Sequence, residues 1–107
     1  MTLATIDDPV LTRFRRELDV VYGARLARAV LFGSRARGDA RPDSDYDIAV
    51  FIHDPESFDR EATRLAAIAT GLLYDTGAVI NPLHFPVGAD RERTGLMAEI
   101  RRDGVEL

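Results

Sequence analysis

The stretch Val30-Leu31-Phe32-Gly33-Ser34-Arg35-Ala36-Arg37-Gly38-Asp39-Ala40-Arg41-Pro42-Asp43-Ser44-Asp45-Tyr46-Asp47-Ile48-Ala49-Val50-Phe51-Ile52 decides the fold. Two apolar runs, residues 29–32 and 48–52, bound a polar loop and read as buried strands of one sheet. The loop opens on Gly33-Ser34 and closes on Asp45-Tyr46-Asp47. Gly33 has no Cβ, so the backbone there can come close to a ligand. Ser34 reads as a helix N-cap and Arg35-Ala36-Arg37 as one short helical turn behind it. Such a turn aims free N–H groups and a partial positive charge at a phosphate.

Asp45 and Asp47 are two apart on the expected strand, so both side chains leave one face, with Cα atoms roughly 6.7 Å apart. Two carboxylates about 6 Å apart repel by roughly 2.8 kcal/mol at an effective dielectric near 20. A divalent cation relieves that repulsion, and hard oxygen ligands on a rigid strand suit Mg²⁺ with substrate phosphates completing its shell.

The string Phe32-Gly33-Ser34-Arg35-Ala36-Arg37-Gly38-Asp39, closed by Ser44-Asp45-Tyr46-Asp47, resembles the signature of the DNA polymerase β-type nucleotidyltransferase superfamily, in its minimal nucleotidyltransferase (MNT) branch. The resemblance implies an α+β, two-layer domain with helices packed on a mixed β-sheet. It also implies transfer of AMP from ATP to an acceptor hydroxyl, with pyrophosphate leaving. Gly33 and Ser34 would hold the departing phosphates, with Arg35, Arg37 or Arg41 beside them. Asp45 and Asp47 would carry one or two Mg²⁺ ions and, with Ser34, the catalysis. The family's third carboxylate is expected on the next strand, within residues 79–84, and no acid stands there. Asn81 is the nearest match, a weak metal ligand, and His84 is an alternative base. In this branch the resemblance implies an antitoxin paired with an all-helical HEPN-type protein that is held or adenylylated, with self-association as a further option. An inert nucleotide- and partner-binding antitoxin module is the alternative reading. A small-molecule transferase like the aminoglycoside-modifying enzymes is a third.

The totals agree with a single domain over the 107 residues. Cysteine is absent, which excludes disulfides and thiolate metal sites. A net charge of −4 argues against general nucleic-acid binding, which needs a basic face. Every basic residue is arginine, so any cationic phosphate contact must be a guanidinium. Neither a secretory signal nor a membrane span is evident, and the cytoplasm is the expected location.

Outside the central stretch, residues 1–7 read as a loose tail. Asp8-Pro9 starts a helix whose core stripe is Val10, Phe14, Leu18 and Val21, ended by Gly23. A second long helix follows His53-Asp54-Pro55, with Phe58, Ala62, Leu65, Ala69 and Leu72 as its stripe and Ile68 and Leu73 widening it. Residues 78–85 read as a third strand, at an edge because of Pro82. Asp90 is expected to cap a last helix bearing Leu96, Met97 and Ile100. The order is therefore α-β-(α turn)-β-α-β-α.

Overall fold

The computed structural model describes residues 7–107. Residues 1–6, most of the expected tail, lie outside the described residues. Asp8 caps the first helix, α1 (Pro9–Tyr22), accepting from the Val10 N–H at 2.9 Å, with proline at the first position. A 3-10 turn, Gly23–Arg25, leads into β1 (Leu26–Phe32). The one-turn helix α2 (Ser34–Arg37) and β2 (Tyr46–Ile52) follow, then α3 (Phe58–Thr76) and β3 (Ile80–Pro86). A second 3-10 turn, Ala89–Arg91, precedes α4 (Gly95–Asp103) and a two-residue strand, β4 (Val105–Glu106).

The sheet order is β3-β2-β1-β4. β1 runs antiparallel to β2 and β4, while β3 is parallel to β2 across the α3 crossover. Strand alternation sorts the core into two halves. Tyr46, Ile48, Val50 and Ile52 join Ala29 and Leu31 beneath α1 and α3. Val30, Phe32, Ala49 and Phe51 pack on the opposite face with Met97 and Ile100 of α4. The α+β class and the mixed sheet are as the sequence reading has them, and α4 adds partial cover to the second face.

Three boundaries differ from expectation. The buried face of α1 is Leu11, Phe14, Leu18 and Tyr22, while Val21 is 42% exposed. Tyr22 takes the inward place because its hydroxyl finds the buried Glu61 carboxylate at 3.1 Å. Along α3, Glu61, Leu65, Ile68 and Leu72 turn inward, leaving Phe58 74% exposed and Leu73 46% exposed. Thr94, not Asp90, caps α4, accepting from the Met97 N–H at 3.1 Å. Asp90 sits in the preceding turn, where its carboxylate meets Arg28 at 2.6 Å.

β3 is an edge strand, as Pro82 suggested, and the register shows how that edge is blunted. Tyr46 N–H donates to Val79 C=O and Val87 N–H to Ile52 C=O, so odd-numbered residues of this strand face β2. Pro82 and Pro86 fall on the outward set and remove two donors from the free edge. Beside that edge an apolar groove of about 610 Å³ is lined by Phe58, Ala62, Ala66, Leu73, Leu83 and His84.

The end of α4 is tightly packed. A Cβ on Gly104 would overlap the Ile100 carbonyl and stand 2.6 Å from Cγ1 of Val30. Gly104→Ala should therefore cost about 1–3 kcal/mol through overpacking, read as a lowered midpoint in urea unfolding.

Candidate nucleotide-binding site

Three strand ends converge at one end of the sheet. Phe32, the last residue of β1, pairs with Asp47, and Asp47 in turn pairs with Asn81 of β3. Asp47 thus emerges beside Gly33 on the face that carries Ala49 and Phe51. Gly33 has φ +74° and ψ −157°, a region only glycine occupies readily. A Cβ there would overlap Oδ2 of Asp47 and lie 3.3 Å from its Cγ. The turn and the carboxylate are therefore in van der Waals contact.

Behind Gly33 the chain makes the single turn of α2. The Gly33 carbonyl accepts from the N–H groups of Ala36 and Arg37, each at 3.1 Å. Gly33 therefore holds the cap position that the sequence reading gave to Ser34, which becomes the first helical residue. The reason is the glycine's own conformation, which already turns its carbonyl into the helix.

The loop between α2 and β2 is held by its own side chains. The Arg35 guanidinium donates from Nε and Nη2 to the Ser44 carbonyl at 3.0 and 2.8 Å, and from Nη2 to the Pro42 carbonyl at 3.1 Å. It also lies over the Tyr46 ring, 3.9 Å from the centroid. The Tyr46 hydroxyl donates to Oδ2 of Asp8 at 2.7 Å, tying the loop to the start of α1. Burial, then the hydrogen bond to Asp8, push the Tyr46 phenol up to about 12. Arg37 lies against Asp39 at 3.3 Å and Glu99 of α4 at 3.5 Å. Tyr46→Phe should cost about 0.5–1.5 kcal/mol by deleting the Asp8 bond, measurable by thermal melting.

The two acids differ in setting. β2 begins at Tyr46, whose N–H makes a bond to Val79 C=O at 2.9 Å, so exposed Asp45 stands just before the strand and not on it. Asp47 is half-buried, and its Oδ1 accepts from Nδ2 of Asn81 at 3.3 Å. Asn81 is thus the residue of β3 alongside the Asp47 carboxylate. His84 belongs to the other face of β3, where its ring meets Phe58 of α3 at 4.6 Å, so it is not placed as a base for this site. His53 is exposed at the far end of β2. Among the described residues no group of three or more histidine and acidic side chains is placed to hold a metal ion. The strand register sets one hard oxygen donor, the Asp47 carboxylate, against the glycine-led turn, a donor type that suits a divalent cation shared with a polyphosphate.

Sequence reasoning missed the Asp8–Tyr46 link and the Glu61 cluster. Fully buried Glu61 accepts from Tyr22 Oη, Arg25 Nη2, Arg64 Nη1 and the Glu56 N–H, at 3.1, 2.8, 3.0 and 2.9 Å. Burial raises this carboxyl, but the four donors outweigh it and hold it down at about 2. A signal existed: Glu61 stands at helical spacing with Leu65, Ile68 and Leu72, an acid on an apolar stripe that needs cationic partners.

A glycine-led turn set against a strand-borne acid, at one end of a mixed sheet backed by helices, defines a nucleotidyltransferase-type domain. The family described as Polymerase beta, Nucleotidyltransferase matches residues 17–105, and the chain belongs to it. A "putative protein adenylyltransferase" of Methanocaldococcus jannaschii is 24% identical over 98 residues, which are 92% of this chain and 95% of that protein. A crystal structure described as a toxin-antitoxin with AMP-PNP superposes with a TM-score of 0.64 at 19% identity, over 89% of this chain and 69% of that one. A "putative minimal nucleotidyltransferase" structure gives a TM-score of 0.60 at 22% identity, over 96% and 100% of the two chains. These superpositions share the fold.

Proposed function

We propose that this chain binds ATP with Mg²⁺ at the Gly33–Asp47 corner and transfers AMP to a hydroxyl of a protein partner. It would do so as the antitoxin-like half of a two-component pair in the cytoplasm, facing a helical HEPN-type protein. The observation that supports this reading is the close approach of the Gly33 backbone to the Asp47 carboxylate, which would let a phosphate pass the turn beside an acid able to take a metal. Asp45 and Asp47 would hold the cation, which neutralises charge on the polyphosphate when bound. Gly33 and Ser34 would take the departing phosphates. Arg37, exposed at the end of α2, would leave Asp39 and Glu99 to meet them, while Arg35 would keep the loop closed. The adenylyltransferase name of the archaeal relative and the toxin–antitoxin neighbour with AMP-PNP support this direction.

A second reading has a specific observation in its favour. Asn81, a neutral amide, stands beside Asp47 where a further acid would complete the site. On that reading the chain holds nucleotide and partner without turnover.

Incubation with α-labelled ATP, Mg²⁺ and a co-expressed HEPN-type partner separates the two. Transfer predicts label on the partner that falls at least about 100-fold in Asp45→Asn and Asp47→Asn. Partner binding without label in the wild type supports the inert module and refutes transfer.

A further inference from the structure

Asn81 and Asp47 are register partners on adjacent parallel strands, with the amide nitrogen 3.3 Å from Oδ1. The amide is aimed by its donor: turning it over would set two oxygens at that distance with no proton between them. A donor N–H presents positive charge and no lone pair to the space beside Oδ1. That space is therefore unfavourable for a cation, and one oxygen of Asp47 is already engaged. Asp47's other oxygen, Oδ2, is the one beside Gly33, on the side where a phosphate chain would pass. Oδ2 is therefore the Asp47 oxygen left for a metal, and exposed Asp45, just before the strand, is the neighbouring acid that would join it.

We propose that Asn81 limits this site to a single divalent cation, shared with the nucleotide, by keeping an amide donor where a carboxylate would seat a second ion. The inference rests on the nucleotide-binding reading above and deepens it. Asn81 acts here as a positioning residue, through Asp47. The chemistry that follows is a site that grips a metal–nucleotide complex through one cation, on either reading of its turnover.

Cation counting tests this directly. The 107-residue chain is titrated with Mn²⁺ in the presence of equimolar α,β-methylene-ATP, with free Mn²⁺ read by electron paramagnetic resonance. Nucleotide binding is followed separately by equilibrium dialysis. The expected result is one bound Mn²⁺ per nucleotide-bound wild-type chain, two in Asn81→Asp, and one in Asn81→Ala, which removes the amide donor without adding the charge a second ion needs. Circular dichroism verifies that each variant is folded, and the wild-type count stands even if Asn81→Asp does not fold. Two Mn²⁺ on the wild type overturns the inference and leaves nucleotide binding intact. One Mn²⁺ on folded, nucleotide-bound Asn81→Asp also overturns it. Failure of the wild type to retain nucleotide in dialysis overturns the underlying reading and this inference with it.

Discussion

Glu61→Ala is expected to cost about 3 kcal/mol of stability and to lower the melting temperature by roughly 12 °C or more. The side chain is wholly buried and accepts four hydrogen bonds, two of them from guanidinium groups. Its removal strands the Tyr22 hydroxyl and the Glu56 N–H and leaves Arg25 and Arg64 to share the Glu56 carboxylate alone. Removing one partner of a buried ion pair costs about 3–5 kcal/mol. The lower end applies because both arginines are about one-third exposed and can recover water. The nearby pair Arg60–Glu56 is the contrast, at 3.2 Å with the arginine 70% exposed. Arg60→Ala should change stability by no more than about 0.5 kcal/mol. The Glu61 contribution also has a pH signature. With its folded value held at about 2, it is complete above the ordinary carboxyl range near 4.5 and is lost as pH falls toward 2. Wild type should lose stability through that window, and the loss should be smaller in Glu61→Ala. Equal acid sensitivity of the two proteins would contradict the assignment.

Gly33→Ala carries the second large effect, and it falls on binding. The backbone there lies in a glycine-only region, so any side chain costs about 1–3 kcal/mol. The added Cβ also displaces the Asp47 carboxylate, because the two would overlap. A shift of that carboxylate removes a proposed metal ligand, and Mg²⁺-dependent ATP affinity should fall about 100-fold, or about 2.7 kcal/mol. Gly38 separates strain from contact. Its φ is +83°, yet a Cβ there meets nothing within 4 Å. Gly38→Ala should lose about 1–2 kcal/mol of stability and keep its affinity for ATP within about threefold. A Gly33→Ala protein that binds ATP as the wild type does would show that this close approach has no functional meaning.

Both predictions rest on contacts that the sequence discloses unequally. Gly33 and Asp47 were legible because each adjoins an apolar run, and the antiparallel pairing of those runs brings their ends together. The pairing of Asn81 with Asp47 needed the parallel register of β3, which depends on how α3 lies across the sheet. No local pattern fixes that. The rotation of α3 escapes local pattern for a related reason: apolar periodicity favours Phe58, whereas the helix turns to bring Glu61 to its arginines. Charged side chains with several partners outweigh a single phenyl ring. Thr94 displaced Asp90 as a cap because Arg28 engages Asp90 across more than sixty residues of chain. Likewise β4 is too short for any periodicity and forms by pairing with Val30 and Leu31.

Isothermal titration of the folded wild-type chain with ATP, once in Mg²⁺ and once in chelator, tests the central claim most directly. A saturable one-to-one isotherm in Mg²⁺ is predicted, lost in chelator and lost in Asp47→Asn. No binding at any Mg²⁺ concentration, or an unchanged isotherm in Asp47→Asn, would contradict the account.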